Sequence, residues 1–294
     1  MADFAEFRVL ADVPCDTGEG PLYHPGEGAV YWTDIPAGRL YRLEIATGEH
    51  ACVHEGSPIG GMTLQADGSL LLFRARGTVE IWRDGRTETV IAEIPDETET
   101  RFNDVIADPL GGVFCGTMPT RDRRGRLYRL APTGELVQLL DGIGCSNGMG
   151  FSPDRTVMYY TDSGDRTITQ FTFDPQTGKV SDRRPFVTVS GEGEGVPDGM
   201  TVDANGNIWS TRWDGNAIVG YRPDGTEFAR FRLPIRKVSC LAFGGPHYAT
   251  AYVTTAGGHL RPNDGEWAGS LLAMDLGVTG VPEFRSRIGL PATS

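Results

Sequence analysis

Strongly apolar β segments recur along the chain around Tyr31, Leu71, Phe114, Tyr159, Trp209 and Tyr252, at steps of 40, 43, 45, 50 and 43 residues. A polar turn precedes most of them, as in Ala66-Asp67-Gly68, Pro109-Leu110-Gly111, Pro153-Asp154 and Ala204-Asn205-Gly206. These residue types suit tight connections because they adopt the turn's backbone angles at little cost. After each apolar strand come a second turn and a strand of alternating character, seen in Arg39-Leu40-Tyr41-Arg42-Leu43 and Arg126-Leu127-Tyr128-Arg129-Leu130. Alternation of this kind belongs to a strand packed on one face and wet on the other. Fourth strands are expected over residues 89–94, 136–140 and 227–233, after the turns Asp84-Gly85, Pro132-Thr133-Gly134 and Pro223-Asp224-Gly225.

Four strands repeating about every 45 residues form the blade of a β-propeller. Six such units predict an all-β fold: a six-bladed β-propeller with four-stranded antiparallel blades around a central channel, a single domain over residues 1–294. Pairing of an N-terminal strand within 7–13 with the last blade around 270–274 closes the ring and removes the exposed sheet edges. An open sandwich with coincidental spacing is the alternative.

The ring makes a further comparison possible. Six residues before each first turn stand Glu19, Gly60, Asn103, Asn147, Asp198 and Ser239, one per blade and in one register. They should sit at equivalent heights at the start of each innermost strand, facing the channel. Gly20, Gly61, Asp104, Gly148, Gly199 and Cys240 follow them, and Met62, Met149, Met200 and Leu241 stand beyond. A propeller has no structural need for carboxylates there. An unpaired buried polar group costs roughly 1–3 kcal/mol, and a carboxylate more, so the ring calls for a partner. The donors are all oxygen, which suits Ca²⁺, Mg²⁺ or Mn²⁺; a water-filled polar channel is the bland alternative.

Composition agrees with the pattern: 40 glycines and 19 prolines beside 39% hydrophobic residues describe short strands and tight turns, and no helix is expected. A formal charge of −12 repels phosphate backbones and anionic lipid, so neither nucleic acid nor membrane is an expected partner. The basic cluster Arg121, Arg123, Arg124 and Arg126 is read as a solvated hairpin tip. Five scattered cysteines without a CxxC pair read as reduced, mostly buried thiols. No stretch resembles a secretory signal or a membrane span, and a cytoplasmic location is expected.

The residues then carry a family resemblance. Gly18-Glu19-Gly20-Pro21, Arg101-Phe102-Asn103-Asp104, Gly116-Thr117-Met118, Ser146-Asn147-Gly148 and Pro197-Asp198-Gly199-Met200, in that order, resemble the regucalcin and gluconolactonase family of propellers. The resemblance implies one divalent cation held by Glu19, Asn147 and Asp198, its identity open among Ca²⁺, Mg²⁺, Mn²⁺, Zn²⁺ and Fe²⁺. It implies hydrolysis of a small sugar lactone to the aldonic acid, with Arg101 and Asn103 at the substrate and a similar role for Trp213 or Asp214. Asp198, or else Glu19, is the expected proton acceptor. Where some members follow Gly-Thr-Met with acidic residues, this chain has Pro119-Thr120-Arg121-Asp122, so no acidic substrate contact is expected from that segment.

Other chemistries fit less well. The five histidines form no HExxH pair, no Gly-x-Ser-x-Gly elbow is expected, and Ser146-Asn147-Gly148 is not read as a substitute for one. The acidic run Gly191-Glu192-Gly193-Glu194-Gly195 lacks the Lys-Ser/Thr of a phosphate loop and reads as a flexible loop over the channel. A related metal-dependent esterase or organophosphate hydrolase, a non-catalytic cation-binding propeller, and a metal-free condensing enzyme that uses a channel glutamate are the competing functions. Nothing in the sequence sets the oligomeric state.

Overall fold

The computed structural model describes residues 4–290. Among them, 24 strands assemble into six antiparallel sheets of four strands each. Blades 1 to 5 use consecutive strands, from Gly18–His24 in blade 1 to Glu227–Arg232 in blade 5. The sixth takes Lys237–Gly244, Thr250–Ala256 and Leu271–Met274 and adds the N-terminal strand Arg8–Ala11 at its outer edge. Arg8 lies opposite Ala273 in that pairing, the closure expected from the sequence. Each innermost strand touches those of both neighbouring blades, and the sixth touches the first, so the sheets ring an axial channel.

Burial explains the sequence pattern. The inner strands of each blade are covered on both faces by adjacent blades, and Ile59–Leu64 and Leu70–Arg74 are buried at every position. Strands of that kind need continuous apolar runs, whereas the outermost ones, such as Arg86–Ile91, are mostly exposed and read as polar. No α-helix occurs among the described residues; Pro95–Glu97, Pro246–Tyr248 and Gly258–Leu260 are single 3₁₀ turns.

Two local expectations are corrected. The fourth strand of blade 2 starts at Arg86 rather than residue 89, because Asp84 (φ 49°) and Gly85 (φ 79°) make a two-residue turn with both central φ angles positive. That geometry matches the twist of the flanking strands and lets pairing resume at once, with Arg83 opposite Arg86. The basic cluster is only partly a solvated tip. Arg121 and Arg124 are exposed, but Arg123 and Arg126 fold onto Glu97, a fully buried carboxylate that Tyr128 Oη also reaches at 2.6 Å.

At the expected ring positions the innermost strands depart from regular pairing. Register breaks fall between Phe102 and Val105, Ser146 and Met149, Pro197 and Met200, Glu19 and Leu22, and at Gly60 and Ser239 in the remaining two blades. A β-bulge re-aims side chains that strict alternation would send to opposite faces. In blades 1, 3, 4 and 5 the bulge sits where the ring residue meets the channel mouth, whereas Gly60 and Ser239 depart from that expectation: Gly60 is packed on the Phe102 carbonyl of blade 3, and Ser239 Oγ donates to the Gly18 carbonyl of blade 1 at 2.5 Å. In blades 2, 4 and 5 the glycine that follows, Gly61, Gly148 or Gly199, then allows the neighbouring blade to approach: a Cβ on Gly148 would collide with the Met200 amide nitrogen and lie 2.7 Å from the Asp198 carbonyl oxygen. Gly148→Ala should therefore lower stability by about 1–3 kcal/mol through overpacking. Urea unfolding reads this directly, and an unchanged midpoint contradicts the close approach.

The C-terminal segment seals the opposite end. Gly280 donates to the Tyr248 carbonyl at 2.8 Å, Ser286 to Leu64 at 2.9 Å and Arg287 to Gly111 at 2.9 Å, so this strap crosses from blade 6 to blades 2 and 3. Phe284 packs edge-on against Phe151 of blade 4, and Glu283 enters the narrow channel space lined by Asp104, Met149, Met200 and Cys240.

Candidate metal centre

All six side chains singled out for the site, Glu19, Arg101, Asn103, Asn147, Asp198 and Trp213, line one cavity of about 460 Å³ at the channel mouth. That volume suits a small ligand. A larger groove of about 820 Å³ lies on the outer flank against Phe7, Phe231 and Met274 and shares no lining residue with it. Asp214 is not among the lining residues; its carboxylate pairs with Arg236 at 2.8 Å. Trp213 faces the cavity half-buried, with Lys237 Nζ 5.7 Å from its ring centroid. The acidic glycine loop is tied to the outermost strand of blade 5, where Glu194 pairs with Arg230 at 2.9 Å, and none of residues 191–195 lines the cavity.

Sequence reasoning missed several lining residues, although alternation along the strand held the signal. Thr17, Cys145 and Val196 each stand two positions before a ring residue, as does Arg101, which the family resemblance had already placed at the site, and all four line the cavity. A spacing of two returns to the same face of a strand. Ile35, Met118 and Ser163 stand just past the ends of second strands, where those strands reach the mouth.

The carboxylates are in an environment that disfavours their charge. Asp198 is 4% exposed and its carboxylate accepts no hydrogen bond among the described residues. Burial, then the charges of Glu19 and Asp104, hold its pKa well above the usual carboxylate range. Glu19, 8% exposed, is raised to about 8 by burial and then by Asp104, against the Gly20 N–H, which donates to it at 3.0 Å, and the charge of Arg101. In the channel below, burial lifts Asp104 to about 6 and Glu283 to about 7, the latter with help from Asp104. The surface these two retain faces the enclosed channel.

The amides are oriented by neighbours. Asn103 Nδ2 donates to the Ser146 carbonyl at 2.7 Å and to Asn147 Oδ1 at 2.9 Å, while its own Oδ1 accepts from Arg101 Nη1 at 2.6 Å. Arg101 also donates to the Phe102 carbonyl at 2.9 Å, and its other N–H groups have no protein partner among the described residues. Two buried carboxylates, one without a hydrogen bond, and a neighbouring amide oxygen fit a divalent cation: the charges balance and the donors are hard oxygens. No group of three Asp, Glu, His or Cys with metal-ligand geometry occurs among the described residues, so an amide has to complete any such site.

Ser146 offers no competing chemistry. Gly144-Cys145-Ser146-Asn147-Gly148 has the literal Gly-x-Ser-x-Gly spacing, but the serine lies in an innermost strand, fully buried, and its Oγ has no hydrogen-bond partner. A nucleophile elbow needs an exposed serine on a strand-to-helix turn. The cavity's cysteine is also unsuited to attack, since burial pushes the Cys145 thiol up to about 12.

Comparison with known proteins agrees with this architecture. Residues 17–257 match the family described as SMP-30/Gluconolactonase/LRE-like region. The pentonolactonase XacC of Haloferax volcanii is 49% identical over 289 residues, covering 96% of this chain and 98% of its own. Regucalcin of Gallus gallus is 30% identical over 283 residues, covering 91% and 93%. Among solved structures, a calcium-binding protein, regucalcin, from Agrobacterium tumefaciens superposes with a TM-score of 0.89 at 29% identity, covering 97% of this chain and 98% of its own.

Proposed function

The chain belongs to the SMP-30/gluconolactonase/LRE-like family, and from that premise we propose that it is a lactonase that opens a sugar aldonolactone to the aldonic acid with the help of one divalent cation. The 49% identity to a pentonolactonase supports a five-carbon lactone as the preferred substrate. The single observation that carries the cation is Asp198: a carboxylate 4% exposed, without a hydrogen bond among the described residues, is unstable as an anion unless a positive charge joins it. Glu19, Asn147 and Asp198 are the proposed ligands. The reading takes residues 1–294 as one domain in the cytoplasm, supported by the ring closure and by five free thiols.

When bound, the cation supplies Lewis-acid polarisation of the lactone carbonyl and acidifies a nearby water. The protein does the rest. Asp198 takes the attacking water's proton as the new C–O bond forms, with Glu19 as the second carboxylate able to accept it. Arg101, with part of its guanidinium left free toward the cavity, shares the negative charge that develops on the carbonyl oxygen. The ring C–O bond then breaks, and the ring oxygen takes the proton that Asp198 had accepted, which makes it the hydroxyl of the acid and restores the carboxylate. Asn103 holds Arg101 and Asn147 in register, and Trp213 offers an apolar wall to the sugar ring.

A panel assay tests the reaction class. Protein loaded with Mn²⁺ or Ca²⁺ should release acid from pentono- and hexonolactones with kcat/KM at least about 10-fold above that for simple aryl esters or organophosphates, after subtraction of spontaneous hydrolysis. This ratio is what a site that hydrogen-bonds sugar hydroxyls provides. Equal or faster turnover of the esters would replace the lactone by the wider esterase reading, and no turnover of any substrate would leave a cation-binding propeller.

A further inference from the structure

We propose that Ser163 is a positioning residue that aims the amide oxygen of Asn147 at the cation; the inference rests on the ligand set proposed above. Four hydrogen bonds run in one line across the mouth of blades 3, 4 and 5. Arg101 Nη1 donates to Asn103 Oδ1 at 2.6 Å, Asn103 Nδ2 to Asn147 Oδ1 at 2.9 Å, Asn147 Nδ2 to Ser163 Oγ at 2.8 Å, and Ser163 Oγ to the Pro197 carbonyl at 2.5 Å.

The polarity of this chain is forced from both ends. A guanidinium has donors only, and a backbone carbonyl acceptors only. Ser163 must spend its one hydroxyl hydrogen on Pro197, so its oxygen can only accept from Asn147. That contact therefore has to be the NH₂ end of the amide, which turns Oδ1 away from Ser163, toward Asn103 and the cavity. From the other end, Arg101 fixes Oδ1 of Asn103, which leaves its Nδ2 to meet Oδ1 of Asn147. Both amides are set without ambiguity, and Oδ1 of Asn147 keeps a second lone pair for an ion.

Ser163 also joins two ligand-bearing strands. It sits just past the second strand of blade 4, and Pro197 immediately precedes Asp198 in blade 5. Its side chain is 7% exposed, with both of its hydrogen bonds made to protein groups. Loss of the hydroxyl frees the Asn147 amide to rotate and present NH₂ to the ion. It also loosens the strand carrying Asp198. Outer partners of this kind typically change metal affinity by 10–100-fold.

Mn²⁺ titration of the metal-free protein by calorimetry provides a readout that does not pass through activity. Ser163→Ala should weaken Mn²⁺ binding by about 10–100-fold. Ser163→Thr, which keeps the hydroxyl, should restore the affinity to within a few-fold. If the alanine variant fails to fold, Ser163→Cys fills the space with a weak donor and should show the same loss. Unchanged Mn²⁺ affinity in folded Ser163→Ala or Ser163→Cys overturns the positioning role alone. Parent protein that binds no Mn²⁺, or Glu19→Gln that binds it as tightly as the parent, overturns the ligand set and the role together.

Discussion

Asp198→Asn should reduce kcat by roughly 10³-fold or more, even with the cation in excess, while leaving the metal-free protein at least as stable as the parent. The two outcomes have one cause. An asparagine keeps the volume and one coordinating oxygen but has no charge to balance the ion and no basic site for the water's proton. General-base loss alone is worth about 10²–10⁴-fold, and a weakened ligand adds to it. In the metal-free protein the same carboxylate is a liability, because burial and the charges of Glu19 and Asp104 oppose its ionisation. Removing that charge should raise or maintain the melting temperature. Turnover within 10-fold of the parent at saturating cation rejects Asp198 as both ligand and base. A marked fall in metal-free stability contradicts the electrostatic account.

The site was legible to this extent because the blade repeat acts as a ruler. Glu19, Asn147 and Asp198 stand in one register, and the structure brings all three to a common cavity. Asn103 was legible as a channel residue but not as a link. Its side chain is occupied by Arg101, Ser146 and Asn147, the last 44 positions along the chain, and no local pattern announces such a bond. Ser163 and Glu283 were missed for related reasons. A serine after Asp162 looks like any turn residue, and the tail bearing Glu283 lies beyond the last blade strand.

Removing the cation with a chelator should bring lactone hydrolysis down to the spontaneous rate, and the stabilisation gained on restoring it should grow with pH. Without a cation, Glu19 has a folded pKa of about 8 against an unfolded value near 4.5, and Asp104 (about 6) and Asp198 are raised in the same direction. A raised carboxylate pKa means that the folded state binds more protons than the unfolded one between the two values. Stability from these groups is complete below about pH 4 and is lost as pH rises toward 8.

A cation binds the ionised forms and offsets the mutual repulsion, so its effect is small near pH 5.5 and large near pH 8.5. At 100 times the dissociation constant, linkage is worth about 2.7 kcal/mol, or roughly 5–10 °C in melting temperature for a chain of this size. Differential scanning fluorimetry with and without Mn²⁺ across pH 5.5–8.5 measures the trend. A shift that is equal at both ends, or greater in acid, excludes these carboxylates as ligands.

What the amino-acid order determined alone is the part of the protein that repeats: six blades, the inner and outer strands of each, and the register from which Glu19, Asn103, Asn147 and Asp198 reach the channel mouth while Gly60 and Ser239 do not. Side-chain alternation and turn chemistry act over a few residues, so they are written locally and copied six times. Only the closed tertiary structure decided which of those positions share a cavity, how the bulges aim them, and how Arg101, Asn103, Asn147 and Ser163 bond in line to Pro197. It also decided that the tail would seal the channel with Glu283 facing Asp104. Most of those contacts join groups from 16 to more than a hundred residues apart, and the ones between blades come into being only when the ring closes and leaves buried polar atoms to find partners among whatever the neighbouring blades present.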